Sequence, residues 1–145
     1  MSKITIEKKV KFPKKKDLGK REWGKEILLA LISKKISFKK LILNKGKSGG
    51  LQYHRKKNEC GYLLSGSLQV IFVGPNGKLK KKILKKGNVF HFPPGSIHKE
   101  TALTRCEIIE ASTPYFNDRV RVEKKFNLKP NNGLKTTKIN HIKYL

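Results

Sequence analysis

The chain has 145 residues, of which 37% are hydrophobic and 31% charged, enough for one domain with its own core. Thirty-five Lys and Arg stand against ten Asp and Glu, a formal charge of +25, so any field it projects attracts anions. No apolar run approaches the roughly eighteen residues of a membrane span, residues 1–5 lack the apolar centre of a signal peptide, and two cysteines without Cys-x-x-Cys spacing exclude a disulfide framework and imply a reduced, cytoplasmic setting.

Ile4, Ile6, Val10 and Phe12 alternate with polar residues as an extended edge segment that Pro13 ends, so residues 1–15 read as an N-terminal edge strand or arm. Residues 26–32 are apolar enough for a helix turn or a buried strand, and periodicity does not decide between them. Residues 38–43 read as a strand stopped by the glycine-rich turn at 46–50. Strands at 51–54 and 61–64 flank a charged bend at 55–58. Residues 68–73 and 78–84 form a hairpin through Gly74-Pro75-Asn76-Gly77. A strand at 89–92, a turn at 93–96, a strand at 97–103 and a closing strand at 107–111 complete the pattern. After Pro114 the chain reads as a short helical or extended wrap. The domain is placed at 1–125, and 126–145 reads as a polar tail.

Two motifs carry the chemistry. They are Gly46-x5-Gln52-x-His54-x4-Glu59-x6-Gly66 and Gly87-x5-Pro93-x-Gly95-x2-His98. Residues two apart on a strand share a face, so Gln52 and His54 point the same way. Glu59 follows just beyond the bend, and His98 follows a Pro-Gly turn that reverses the backbone steeply. An amide, two imidazoles and a carboxylate converging in a small domain are a donor set for a divalent transition metal, with Zn, Mn, Fe or Ni suited about equally.

The spacing of these motifs resembles the two signature motifs of the cupins over residues 46–98, with Gly46, His54, Glu59, Gly66, Gly87, Pro93, Gly95 and His98 in register. Gln52 stands where the usual first histidine would be, and Ala102 where the second motif often ends in Asn. Gln-x-His followed by Glu59 resembles the metal site of mannose-6-phosphate isomerase-type cupins. Trp23-Gly24-Lys25-Glu26 and the segment from Glu110 to Pro114, running on to Asp118, Arg121 and Glu123, resemble that branch too, so the likeness spans about residues 20–125.

The resemblance implies an all-β fold, the cupin double-stranded β-helix of two antiparallel sheets, with 26–32 as a strand. It implies metal ligation by Gln52, His54, Glu59 and His98. It nominates Glu110 as an acid/base group and Arg121 as a holder of an oxyanion or phosphate, with Lys39 or Lys40 as a further phosphate contact, only one of which can face inward. Each has a plainer rival: Glu110 as a salt-bridged structural carboxylate, Arg121 as an ion pair amid Asp118 and Glu123, and the donor set as a buried hydrogen-bond cluster. The function expected is a metal-dependent sugar-phosphate isomerase or epimerase working by enediol proton transfer on a small anionic substrate such as a phosphosugar. The alternatives are a non-catalytic metabolite- or sugar-binding cupin, and a lyase or dioxygenase of a small organic acid. A homodimer paired through the segment at 4–12 is also expected.

The charge does not point to nucleic acid. Arg occurs only at positions 21, 55, 105, 119 and 121, whereas phosphate and base readers lean on Arg forks. The lysines are spread in short runs along the whole chain, with no DNA-binding helix pair or aromatic-studded basic strand. They read as a solvated surface bias.

Overall fold

Short alternating segments bounded by glycine and proline turns become strands in the computed structural model, which describes residues 10–129. In chain order the described strands are β1 (Lys16–Arg21), β2 (Gly24–Ile32), β3 (Ile36–Leu43), β4 (Gln52–His54), β5 (Glu59–Ser65), β6 (Ser67–Val73), β7 (Leu79–Lys85), β8 (Val89–Phe92), β9 (His98–Ala102), β10 (Cys106–Ser112) and β11 (Arg119–Arg121). A 3-10 turn over Glu123–Phe126 follows. A six-stranded sheet runs β1-β2-β3-β10-β5-β8 and a five-stranded sheet β11-β4-β9-β6-β7. Every strand pair is antiparallel. The result is the all-β double-stranded β-helix, and no helix among the described residues is long and apolar enough to cross a membrane.

The inward residues of the two sheets build the core. Leu43, Leu63, Leu68, Val70, Phe90 and Ile108 belong to its main cluster, and Leu63, Leu68 and Ile108 are wholly buried. Burying each such side chain stabilises the fold by about 1.5–3 kcal/mol. A smaller cluster of Leu28, Leu31 and Phe116 closes the opposite end under β1. Between the two clusters the inward positions turn polar, and that is where the site lies.

The segment at 26–32, ambiguous by periodicity, lies within β2, whose buried residues alternate up to a bulge between Leu28 and Ala30. The hairpin forms as β6 and β7, with Gly77 N donating to Gly74 O at 3.0 Å. The wrap after Pro114 contains both alternatives, a three-residue strand and a 3-10 turn. β1 carries no legible pattern and is ordered by pairing with β2 through a bulge between Asp17 and Lys20. Val10 and Phe12 are 83% and 89% exposed and belong to no strand, while residues 4–9 of the expected edge segment and 130–145 of the tail lie outside the described residues.

Candidate metal centre

β4 turns Gln52 and His54 inward, and both are buried. Gln52 lies opposite His98, the first residue of β9. Gly95 in the preceding turn has φ +84°, a conformation that favours glycine, and its N–H donates to His54 O at 2.8 Å. The turn of the second motif is thereby fastened to the strand of the first. Glu59 opens β5 beyond the charged bend, whose shape Asp118 sets by accepting from Lys56 N and Lys57 N, both at 2.7 Å.

The three ligand-type side chains converge. Glu59 Oε1 lies 3.4 Å from His98 Nε2 and 3.8 Å from His54 Nε2, and one donor atom from each residue falls within 4.8 Å of the others. The remaining ring nitrogens are engaged behind them: His54 Nδ1 lies 3.0 Å from Asp118 Oδ1, and His98 Nδ1 lies 3.0 Å from Ser96 O. A nitrogen facing a carbonyl or carboxylate oxygen carries the proton, so both rings present a lone pair at Nε2 to the cluster. The His98 ring is held further by stacking on Phe92, centroids 3.8 Å apart.

Gln52 Oε1 is buried and meets no hydrogen-bond donor among the described residues. Two imidazoles and a carboxylate thus converge, with the amide of Gln52 lining the same cavity. These residues fit a divalent transition metal, with a ligand charge of minus one and room for further oxygen ligands. Burial lowers the His98 imidazole, but the hydrogen bond and charge of Glu59 outweigh it and raise the group above its ordinary value. Burial lowers His54 and wins there, against the pull of Glu59.

Around the donors lies a cavity of about 100 Å³ lined by charged groups. Lys57 Nζ bridges Glu59 Oε2 at 2.8 Å and Glu110 Oε1 at 3.1 Å. Burial alone would neutralise that ammonium; Glu110 and Glu59 keep it charged, with its titration well above the ordinary range. Burial likewise works to raise the Glu59 carboxyl, but Lys57, His98 and His54 hold it far below the usual carboxylate range. Burial raises Glu110, against Lys57 and helped by Glu59. Glu100 is pushed up to about 7, first by burial and then by Glu59 and Glu110, with His98 and Lys57 opposing. Lys39 pairs with Glu26 at 2.5 Å, and Arg119 enters the cavity from β11, opposite His54 in the ladder.

Gln52, His54, Glu59, His98 and Glu110 thus meet in one cavity. Arg121 lies outside its lining: the guanidinium sits over Gly50, and its Nε donates to Glu123 Oε1 at 2.7 Å. Of Lys39 and Lys40, the first faces inward, and the second pairs with Glu107 at 3.2 Å on the outer face. Sequence reading missed Lys57, Glu100 and Arg119. Glu100 had a signal, since it stands two residues beyond His98 on the same strand. Lys57 had none, being one lysine among many in a charged bend.

A sequence profile described as Cupin matches residues 21–132 of this chain. A probable germin-like protein of Arabidopsis thaliana, subfamily 2 member 5, is 49% identical over 45 residues, 31% of this chain and 21% of its own. Among solved structures, oxalate decarboxylase from Bacillus subtilis superposes with a TM-score of 0.64 at 20% identity, over 82% of this chain and 33% of that one. The capsular polysaccharide assembling protein CapF from Staphylococcus aureus superposes with a TM-score of 0.65 at 18% identity, over 75% and 32%. The chain spans between 21% and 33% of the length of these proteins, and the structural likeness is one of fold. With the profile covering most of its length and Gln52, His54, Glu59 and His98 of the two motifs lining one cavity of a double-stranded β-helix, the chain belongs to the cupin family.

Proposed function

We propose that this chain is a metal-dependent enzyme that moves a proton on a small anionic hydroxy- or oxo-compound, the chemistry of isomerisation through an enediolate. One observation carries the reading: the buried Glu110 carboxylate is tied through the single ammonium of Lys57 to Glu59, within the cavity onto which the other ligand-type side chains open. A divalent cation held by Gln52, His54, Glu59 and His98 would supply Lewis acidity to a substrate oxygen. Glu110 would take the C–H proton of the hydroxyl-bearing carbon and return it to the adjacent carbonyl carbon while the hydroxyl proton passes to the former carbonyl oxygen, and its upward shift suits a group that must both accept and give. Lys57 fixes the Glu110 carboxylate through a 3.1 Å ion pair. Arg119 lines the same cavity, where its positive charge would draw a substrate carboxylate.

A sugar-phosphate isomerase of the mannose-6-phosphate type is the second reading, favoured by Gln52-x-His54-x4-Glu59 with Glu110 in the same cavity. A phosphate would there meet the same cavity cations, Lys39, Lys57 and Arg119. Incubation of metal-loaded protein in D2O with short 2-hydroxy and 2-oxo acids, and separately with mannose 6-phosphate, tests the two readings by proton NMR. Solvent deuterium entering the short acids, and lost in Glu110→Gln, is the expected result. Exchange confined to the phosphosugar selects the second reading. One equivalent of metal with no exchange on either set overturns both in favour of a metabolite-binding cupin.

A further inference from the structure

A second cavity, of about 280 Å³, lies apart from the metal-ligand cavity. It sits between β6 and β7 on one side and β8 on the other, and β7 and β8 are each the last strand of their sheet. Apolar side chains from both sheets wall it, among them Val70, Phe72, Leu84, Phe90 and Phe92. The two cavities share a single lining residue, His98, whose ring stacks on Phe92. Val89 and His91 also border it and are exposed, so it opens to water along β8. The volume stands near the lower end of the roughly 300–1,000 Å³ of small-molecule sites, and the walls have their apolar character.

Most polar side chains in the lining are already engaged. His91 Nε2 lies 2.7 Å from Asn58 Oδ1, Ser96 Oγ donates to Pro93 O at 2.7 Å, and His98 Nδ1 lies 3.0 Å from Ser96 O. Lys82 differs. It stands opposite Val70 and two residues from the buried Leu84, an inward position of β7, yet it is exposed, which puts it at the rim. No acid among the described residues pairs with its ammonium, no carboxylate lines the cavity, and the chain has no acidic residue between Glu59 and Glu100. An inward lysine on a last strand also hinders the addition of a further strand, but that role needs no apolar hollow beside it. We infer that this cavity binds a monocarboxylate with an apolar tail, its carboxylate on the Lys82 ammonium and its tail against Phe72, Phe90 and Phe92. The charge at the rim complements a single anionic head. A multiply charged phosphate would need more donors than one ammonium, and a neutral apolar molecule would leave Lys82 unused.

Calorimetric titration of the full chain with octanoate and with 1-octanol, joined to nuclear Overhauser contacts from bound octanoate, tests the inference. The expected result is one octanoate per chain, bound more tightly than octanol, with its tail in contact with the methyl groups of Val70 and Leu84. Lys82→Glu turns an exposed ion pair into a like-charge contact and is expected to weaken octanoate about tenfold while leaving octanol unchanged. Lys81→Glu changes the net charge equally but on the outward face of the same strand, and is expected to leave octanoate binding close to wild type. Both lysines are exposed, so both variants should keep the wild-type circular dichroism spectrum. Failure of octanoate to bind at millimolar concentration overturns the inference. So do contacts to Leu41 of the metal-ligand cavity in place of Leu84, or equal losses in Lys81→Glu and Lys82→Glu.

Discussion

Asp118 accepts three hydrogen bonds that do different work, and Asp118→Asn separates them. Oδ2 takes the Lys56 and Lys57 amide hydrogens at 2.7 Å each, while Oδ1 faces His54 Nδ1 at 3.0 Å. The variant keeps one acceptor oxygen, and two amide donors claim it, so the new NH2 group turns to His54. Facing a donor, Nδ1 must become the acceptor, and the imidazole proton moves to Nε2, where it points at Glu59 and removes the lone pair a metal needs. Loss of such a supporting contact lowers metal affinity about 10- to 100-fold, or about 1.4–2.7 kcal/mol. The backbone bonds survive, so the metal-free fold loses only about 1 kcal/mol. Zinc titration against a chromophoric chelator, beside urea denaturation of the metal-free protein, reads the two quantities separately. A zinc Kd unchanged in Asp118→Asn, with binding abolished in His54→Ala, would refute the tautomer reasoning.

Lys57→Met leaves Glu59 and Glu110 buried without their shared cation and is expected to cost about 3–5 kcal/mol in urea denaturation of the metal-free protein; a loss under about 1 kcal/mol would show that the bridge is replaced. Burial works to raise the Glu26 carboxyl, but Lys39 and Arg21 outweigh it and hold it below its ordinary 4.5. Its stabilisation is therefore fully present above that pH and lost as pH falls through the lower folded value. Glu26→Gln should flatten that acid limb of the stability curve, and an unaltered slope would place the acid sensitivity elsewhere. Gly66 has φ +92°, and an added Cβ would press on Arg105 O, so Gly66→Ala should destabilise by more than about 1 kcal/mol, read by thermal melting.

What was legible followed from period two. Gln52 and His54 share a face because they are two apart, and the strands at 68–73 and 89–92 appear close to their expected bounds because turn residues bracket alternating runs. β1 was hidden because its order comes from a partner strand rather than from its own pattern. Arg121 and Arg119 show the limit from the other side. Both lie on one face of the three-residue β11, yet Arg119 reaches the cavity while Arg121 stops over Gly50 and Glu123. Spacing gives the face of a strand and not how far along the barrel axis a residue sits. Lys57 was invisible for a different reason, since lysine abundance strips a single lysine of information until its burial is known.

That abundance also bears on how the cavity chooses a ligand. Its lining holds four carboxylates, Glu26, Glu59, Glu100 and Glu110, against three cations, Lys39, Lys57 and Arg119, so the metal-free cavity with neutral histidines carries a net charge of minus one. A divalent ion among the donors would turn that to plus one, and a proton on Glu100, whose carboxyl titrates at about 7, would add one more. A bound divalent ion would therefore shift the same walls toward attraction of an anion. The lysine-covered exterior raises the local concentration of anions around the molecule whether or not metal is bound. On the proposed function, discrimination between anions at large and a substrate that can stay would arise inside, from a bound cation, from the charge of Arg119 and from the partners Lys57 holds. The outer charge would set how fast a ligand arrives, and the cavity charge would set whether it stays.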